Sequence, residues 1–254
     1  LAQSLPWLPI KDLESFMSGQ KSQEFDSNTL TQRNEIDDGI SQLTQLRLKI
    51  DANLNQLKAK LEADTEITLL IESLLKKFEE GSYNAVISES LALIEKEIDD
   101  SRIFNILGAS LEAEGDFTVA TKAFNNTLLL EPNDVVAHNN LGTIYKKLQD
   151  FENAKKHFDL ALEIDENNPV ILYNSGNLDK KMGNLIAAQE KFEKALGLDP
   201  TFSKAWLNLG TTLYKVSNFL ESEKALKLAL KHTNDDECRV KALYNLGMLY
   251  RMKG

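Results

Sequence analysis

Past its polar opening, the chain places its apolar residues in two regimes. Between Glu35 and Leu61 they recur with a heptad spacing. Ile36, Leu43, Ile50 and Leu57 form one row, and Ile40, Leu54 and Leu61 the companion row, with Arg47 in that row's second place. This spacing predicts a long helix whose apolar seam faces another helix. Leu46 and Leu48 widen the seam. Two coverings stay open: a second copy of the chain in a coiled coil, or the chain's own remaining helices. An arginine at a seam position weakens a simple dimer or fixes its register. Upstream, Lys11–Thr31 is polar and rich in Ser and Gln, which predicts a tether with one short helix around Leu13–Met17.

Beyond Ile67 the pattern repeats over a longer distance. Asn140-Leu141-Gly142-Thr143-Ile144-Tyr145 returns as Asn174-Ser175-Gly176-Asn177-Leu178-Asp179, as Asn208-Leu209-Gly210-Thr211-Thr212-Leu213, and as Asn245-Leu246-Gly247-Met248-Leu249-Tyr250. Gly108, Gly142, Gly176 and Gly210 are each 34 residues apart. A fixed period of that size predicts a solenoid of helical pairs. Other positions keep the register. Large residues open the units at Phe104, Leu172, Trp206 and Leu243, with His138 in that place once. Small residues follow at Ala120, Ala154, Ala188 and Ser222, then Phe124, Phe158, Phe192 and Leu226, then Ala161, Ala195 and Ala229. Pro132 and Pro200 close two units.

In spacing and in these positions the chain resembles the tetratricopeptide repeat, a helix-turn-helix unit of the same period. The resemblance covers roughly 101–254 and implies an all-α, right-handed solenoid, here preceded by a coiled-coil-like helix. Asp179 departs from it, standing where an apolar or aromatic residue is expected. The glycines and alanines are expected to let paired helices approach closely, with Trp206, Tyr145 and Phe158 filling the space between them. Gly115 and Gly183 suit the turns. The segments read as 1–31 linker, 32–66 heptad helix, 67–100 degenerate capping repeat, and four units at 101–134, 135–168, 169–202 and 203–236. Glu237-Cys238-Arg239 reads as an insertion before a partial unit at 240–254. In the capping repeat Leu74 replaces the usual glycine, which predicts a wider helix spacing.

Composition narrows the function. The chain has 254 residues and a net charge of −10, which disfavours nucleic acid as a partner. Cys238 is the single cysteine, so no internal disulfide is possible. No apolar run reaches the length of a membrane span, and a cytoplasmic location is expected. The chain begins at Leu1 and ends at Gly254 on a first helix, and continuation beyond that point is expected. His138, His157 and His232 show no ligand spacing, and no phosphate-cradling glycine loop appears. Neither catalysis nor a metal or cofactor is predicted, and His138 reads as a packed core residue.

What remains is surface. A stripe on each first helix, spaced by four, three and four residues, faces away from the second helix. It holds Asn140 and Lys147, then Asn174, Asn177 and Lys181, then Lys204, Asn208 and Lys215, then Lys241 and Asn245. In tetratricopeptide stacks this stripe lines the concave groove. The recurrent asparagine resembles the ladder in the superhelix of O-linked N-acetylglucosamine transferases, which holds an extended peptide by its backbone. An amide both donates and accepts, which suits that task. Asn there could instead bond the adjacent repeat. Lys147, Lys181 and Lys215 form a second row, either a basic rim for acidic partners or a complement to the helix dipoles. The carboxylate clamps of the family are matched only at Asn177, Asn208 and Lys241, since Tyr173 and Asn245 stand where basic residues are expected. The leading expectation is a non-enzymatic scaffold or adaptor that holds an extended partner segment in the groove. The alternatives are a structural subunit that self-associates through residues 36–61, and the regulatory half of an enzyme whose catalytic domain lies beyond residue 254.

Overall fold

The computed structural model describes residues 22–253, all of whose regular elements are helices. They are α1 (Ser22–Glu79), α2 (Tyr83–Glu95), α3 (Ser101–Glu114), α4 (Phe117–Leu130), α5 (Val135–Lys147), α6 (Phe151–Ile164), α7 (Pro169–Met182), α8 (Leu185–Leu198), α9 (Ser203–Lys215), α10 (Phe219–His232) and α11 (Asp236–Lys253). The chain divides into two units, Leu1–Leu69 and Leu70–Gly254.

In the first unit the described residues form α1 up to Leu69. The helix takes in Ser22–Thr31, which the sequence read as linker; the short helix expected around Leu13–Met17 lies outside the described residues, as do the side chains of Ile36 and Ile40. Leu43, Ile50, Leu54, Leu57 and Leu61 are all exposed.

The second unit is a solenoid of helix pairs, and three devices recurring with the sequence period build it. The first is capping. Asp100, Asp134 and Asn168 cap the first helices α3, α5 and α7, each accepting a backbone N–H of the opening turn. Asp116, Asp150 and Asn218 do the same for the second helices α4, α6 and α10. Each such bond satisfies a donor that the helix leaves free and is worth about 1 kcal/mol. The second device is the turn. Positions 115, 149, 183 and 217 all take positive φ, with glycine at Gly115 and Gly183, and Gln149 and Ser217 held there at φ 64 and 62. The third is a size match. A Cβ on Gly142 would stand 2.7 Å from the Phe158 ring, and the same relation joins Gly108 to Phe124, Gly176 to Phe192 and Gly210 to Leu226. The glycine lets the facing side chain reach the backbone of the first helix, and Phe124, Phe158 and Phe192 are fully buried.

At the head of the unit the sizes are exchanged. Leu74 occupies the glycine position and is buried, while Ser90 is buried where later repeats place phenylalanine. Wider spacing is therefore not required by Leu74, because the facing position is small. The Ser90 hydroxyl has no partner.

First helices touch one another along the stack, α3 to α5, α5 to α7, α7 to α9 and α9 to α11, and among the described residues no comparable pairing links the second helices. The first helices therefore lie on the inner side of the curve. Each core cluster bridges neighbouring repeats. One joins Leu107, Phe124 and Leu141, and another joins Phe192, Leu209 and Ala225. Stacking thus supplies the burial that a single repeat lacks.

Three sequence readings gain their surroundings. Trp206 is half-buried and packs against the core clusters on either side of it, and its Nε1 donates to the Pro200 carbonyl at 2.8 Å. The three inserted residues Glu237-Cys238-Arg239 form, with Asp236, the first turn of α11, where Cys238 is buried against Leu207 and Leu226. Asp179, out of place by the repeat pattern, accepts from Lys191 Nζ of α8 at 2.6 Å, and the same ammonium donates to Ser175 Oγ at 2.7 Å. An ion pair and a hydroxyl thus stand where other repeats use apolar contact. Such a pair fixes geometry more than it adds stability, because burying both charges costs about what their attraction returns.

Candidate partner-binding groove

The inner helices α5, α7, α9 and α11 carry every candidate binding residue read from the sequence. The amides differ in how they are engaged. Asn174 donates from Nδ2 to Asn139 Oδ1 at 2.9 Å, across two repeats. Asn208 uses both ends of its amide. Nδ2 donates to Tyr173 OH at 3.1 Å and Asn177 Oδ1 at 2.8 Å, and Oδ1 accepts from Lys180 Nζ at 3.0 Å. Asn245 donates back to the Lys241 carbonyl of its own helix. Asn140 is half-buried at the edge of an open apolar pocket of about 300 Å³ formed with Ile71, Leu75, Phe78, Ile106 and Val136.

The lysines differ as well. Lys147 pairs with Glu112 at 2.9 Å and lies over the Phe117 ring, and Lys181 lies over the Phe151 ring with its ammonium 3.4 Å from the Lys146 carbonyl. Lys204 reaches Asp235 at 3.8 Å, and Lys241 pairs with Glu237 on its own helix. Lys215 is exposed and acts on Lys180 through its charge.

Lys180 was not among the residues singled out from the sequence, yet it sits at the centre of the network. It donates to Asn208 and to Thr211 Oγ1. Burial, with the charge of Lys215 second, lowers its pKa to about 8. Lys146, one repeat earlier, is also lowered, first by burial and then by Lys147 and Lys181. The signal was present in the sequence: Lys146 and Lys180 are 34 residues apart, one position before the stripe. The linkage sign follows from the lowered value. Between pH 8 and the ordinary lysine range the unfolded chain binds the extra proton, so at neutral pH the crowded ammonium opposes folding. An anion arriving at Lys180 would relieve that cost.

Between α5 and α6, His138 and His157 face each other with Nδ1 atoms 3.0 Å apart. The Nε2 of His138 is 3.2 Å from the Pro132 carbonyl, the place of the Trp206–Pro200 bond later in the pattern, and Tyr145 stacks on His157. His138 is thus a buried, bonded core residue. Burial first, then the charges of His138 and Lys156, lowers the His157 pKa to about 4. Because that value lies below 6.5, the unfolded chain takes up the proton first. Stability from this group is complete above about pH 6.5 and is lost as the pH falls toward 4. Asp100 and Asp150, both lowered by hydrogen bonds, act only below about 3.8. We expect the melting temperature to fall between pH 6.5 and 4.5, and to stay nearly flat there in His157→Gln. An unchanged slope in that variant would exclude the histidine pair as the cause.

Among the described residues no cluster of three or more metal-ligating side chains forms, and no helix is long and apolar enough to cross a membrane.

Residues 135–168 and 170–202 match models of the tetratricopeptide repeat. No curated protein matches the chain. Among solved structures it is similar to TTC0263, a thermophilic TPR protein of Thermus thermophilus, at TM-score 0.61 and 15% identity, covering 70% of this chain and 97% of that one. It is similar to pilF of Pseudomonas aeruginosa at TM-score 0.61 and 18% identity, covering 72% and 90%. YrrB, described as a TPR protein with an unusual peptide-binding site, aligns at TM-score 0.53 and 20% identity, covering 65% and 83%. At these identities the likeness is one of fold. The chain thus carries two matched tetratricopeptide repeats, at 135–168 and 170–202, within an all-helical solenoid of the same fold as these structures.

Proposed function

We propose that the chain is a protein–protein interaction scaffold, not an enzyme, and that it holds an extended, acidic partner segment along the inner helices. The observation that carries this reading is the crowding of Lys146, Lys147, Lys180, Lys181 and Lys215 at the C-terminal ends of three successive inner helices, in a chain of net charge −10. Helix dipoles account for a cation at each end, but not for burial that lowers both Lys146 and Lys180. The apolar pocket beside Asn140 offers one end of the segment an anchor, and Asn174 and Asn177, each bonded within the chain through one end of its amide, offer the other end to its backbone. The unusual peptide-binding site for which YrrB is described is in keeping with this use of the fold.

Asn208, whose hydrogen bonds are made within the chain, serves here to hold Lys180 in place rather than to bind the partner directly. The test is panning of a random peptide display library on the chain, followed by titration of enriched peptides. Enrichment in Asp and Glu is expected. Lys181→Ala with Lys215→Ala should weaken binding by about tenfold, since charge-assisted hydrogen bonds contribute roughly 1.5–3 kcal/mol when fully formed and these sites are partly screened. The melting temperature should barely move. Enrichment without acidic residues, or affinity unaffected by the double variant, would discard the reading.

A further inference from the structure

We infer that α1 pairs antiparallel with α1 of a second copy of this chain, through residues 43–68, and that Arg47 of each copy meets Asp64 of the other. The starting point is an uncovered helix. From Ser41 to Leu69 no described side chain is buried. Long helices draw most of their stability from a packed apolar face, and here that face, Leu43, Ile50, Leu54, Leu57 and Leu61, lies open. Its seven-residue period fits knobs into a helix of the same period. A second copy has that period by construction.

The charges choose the orientation. Within the seam from Leu43 to Thr68, Arg47 and Asp64 are the two ionic residues, and they have opposite signs. They lie equally far from the midpoint between Asn55 and Gln56. An antiparallel pair centred on that midpoint sets Arg47 opposite Asp64 twice. The other layers are then Ile50 on Leu61, Leu54 on Leu57, and Leu43 on Thr68, so the apolar seam remains continuous. The flanks agree with it. Asp51 comes beside Lys58 of the other copy, and Leu46 beside Ile67, which makes use of the extra apolar residue at position 46. A parallel, in-register pair does the opposite, placing Arg47 on Arg47 and Asp64 on Asp64 in a drying seam, where unpaired charge is costly. Within one chain Arg47 reaches Asp51 only loosely, at 3.9 Å with both side chains well exposed, a contact easily exchanged for a partner across the seam.

The experiment uses the full chain at tens of micromolar. Light scattering should return twice the chain mass. Asp64→Arg should raise the dimer dissociation constant at least tenfold, and adding Arg47→Asp should bring it back to within a few-fold of the parent, as a double-mutant cycle on a directly coupled pair requires. Spin labels on Gln45→Cys, on the face away from the seam, then report orientation; Cys238 is buried and does not compete. At 1.5 Å per residue the two labels sit about 30 Å apart along an antiparallel pair, against about 20 Å or less in a parallel one. A monomeric parent, a double variant no tighter than Asp64→Arg alone, or the short label distance would each overturn the inference.

Discussion

Replacing Phe158 with alanine is expected to destabilise the solenoid by about 3–5 kcal/mol, read as a shift in the denaturant midpoint. The ring is fully buried and rests on the α5 backbone at Gly142. Its neighbours in the core are Ala154, Ala161, Ile171 and Leu178, so it spans its own repeat and the next. Small side chains have little reach to refill the space, which places the cost toward the upper part of the range. Trp206, larger but half-buried, should cost less when truncated. The reverse order would mean that the helix pairs are closed by the tryptophan rather than by the ring on glycine.

The second large effect is expected from Gly142→Leu. Removing a glycine from a helix interior ordinarily stabilises by about 0.5–1 kcal/mol. Here the first added carbon already lies 2.7 Å from a buried ring, and the remaining atoms of leucine have nowhere to go. Overpacking costs typically about 1–3 kcal/mol, occasionally more, so the net sign is destabilising. The double variant Gly142→Leu, Phe158→Ser should recover part of the loss, because it copies the exchange that the chain makes at Leu74 and Ser90. Additive losses in the double variant would show that the two positions do not share one volume.

Much of the fold was legible because it is written in a period. Glycine, alanine and phenylalanine return at fixed intervals, and each return marks a place where two backbones must approach or one ring must fit between them. The heptads of α1 were legible for the same reason. The amides and lysines of the groove were legible as a stripe, since helical spacing alone puts them on one face. What they bond to was not. Asn208 with Tyr173, and Lys191 with Asp179, meet across different helices, and no local spacing encodes such partners. Lys180 stands one position before the end of the stripe that runs through Asn177 and Lys181, so helical spacing does not single it out. Burial of an ammonium is a property of the assembled stack, not of any one helix.

Nearest-neighbour contact along the stack also bears on how the molecule comes apart. Each core cluster is shared by adjacent repeats, so a repeat's hold depends on whether its neighbours are in place, much as in a one-dimensional Ising chain. Fraying should begin where a repeat has a neighbour on only one side and progress inward. Amide exchange should then be slowest in α5 to α8 and faster in α2 and α11, giving a gradient of protection in place of a single cooperative step.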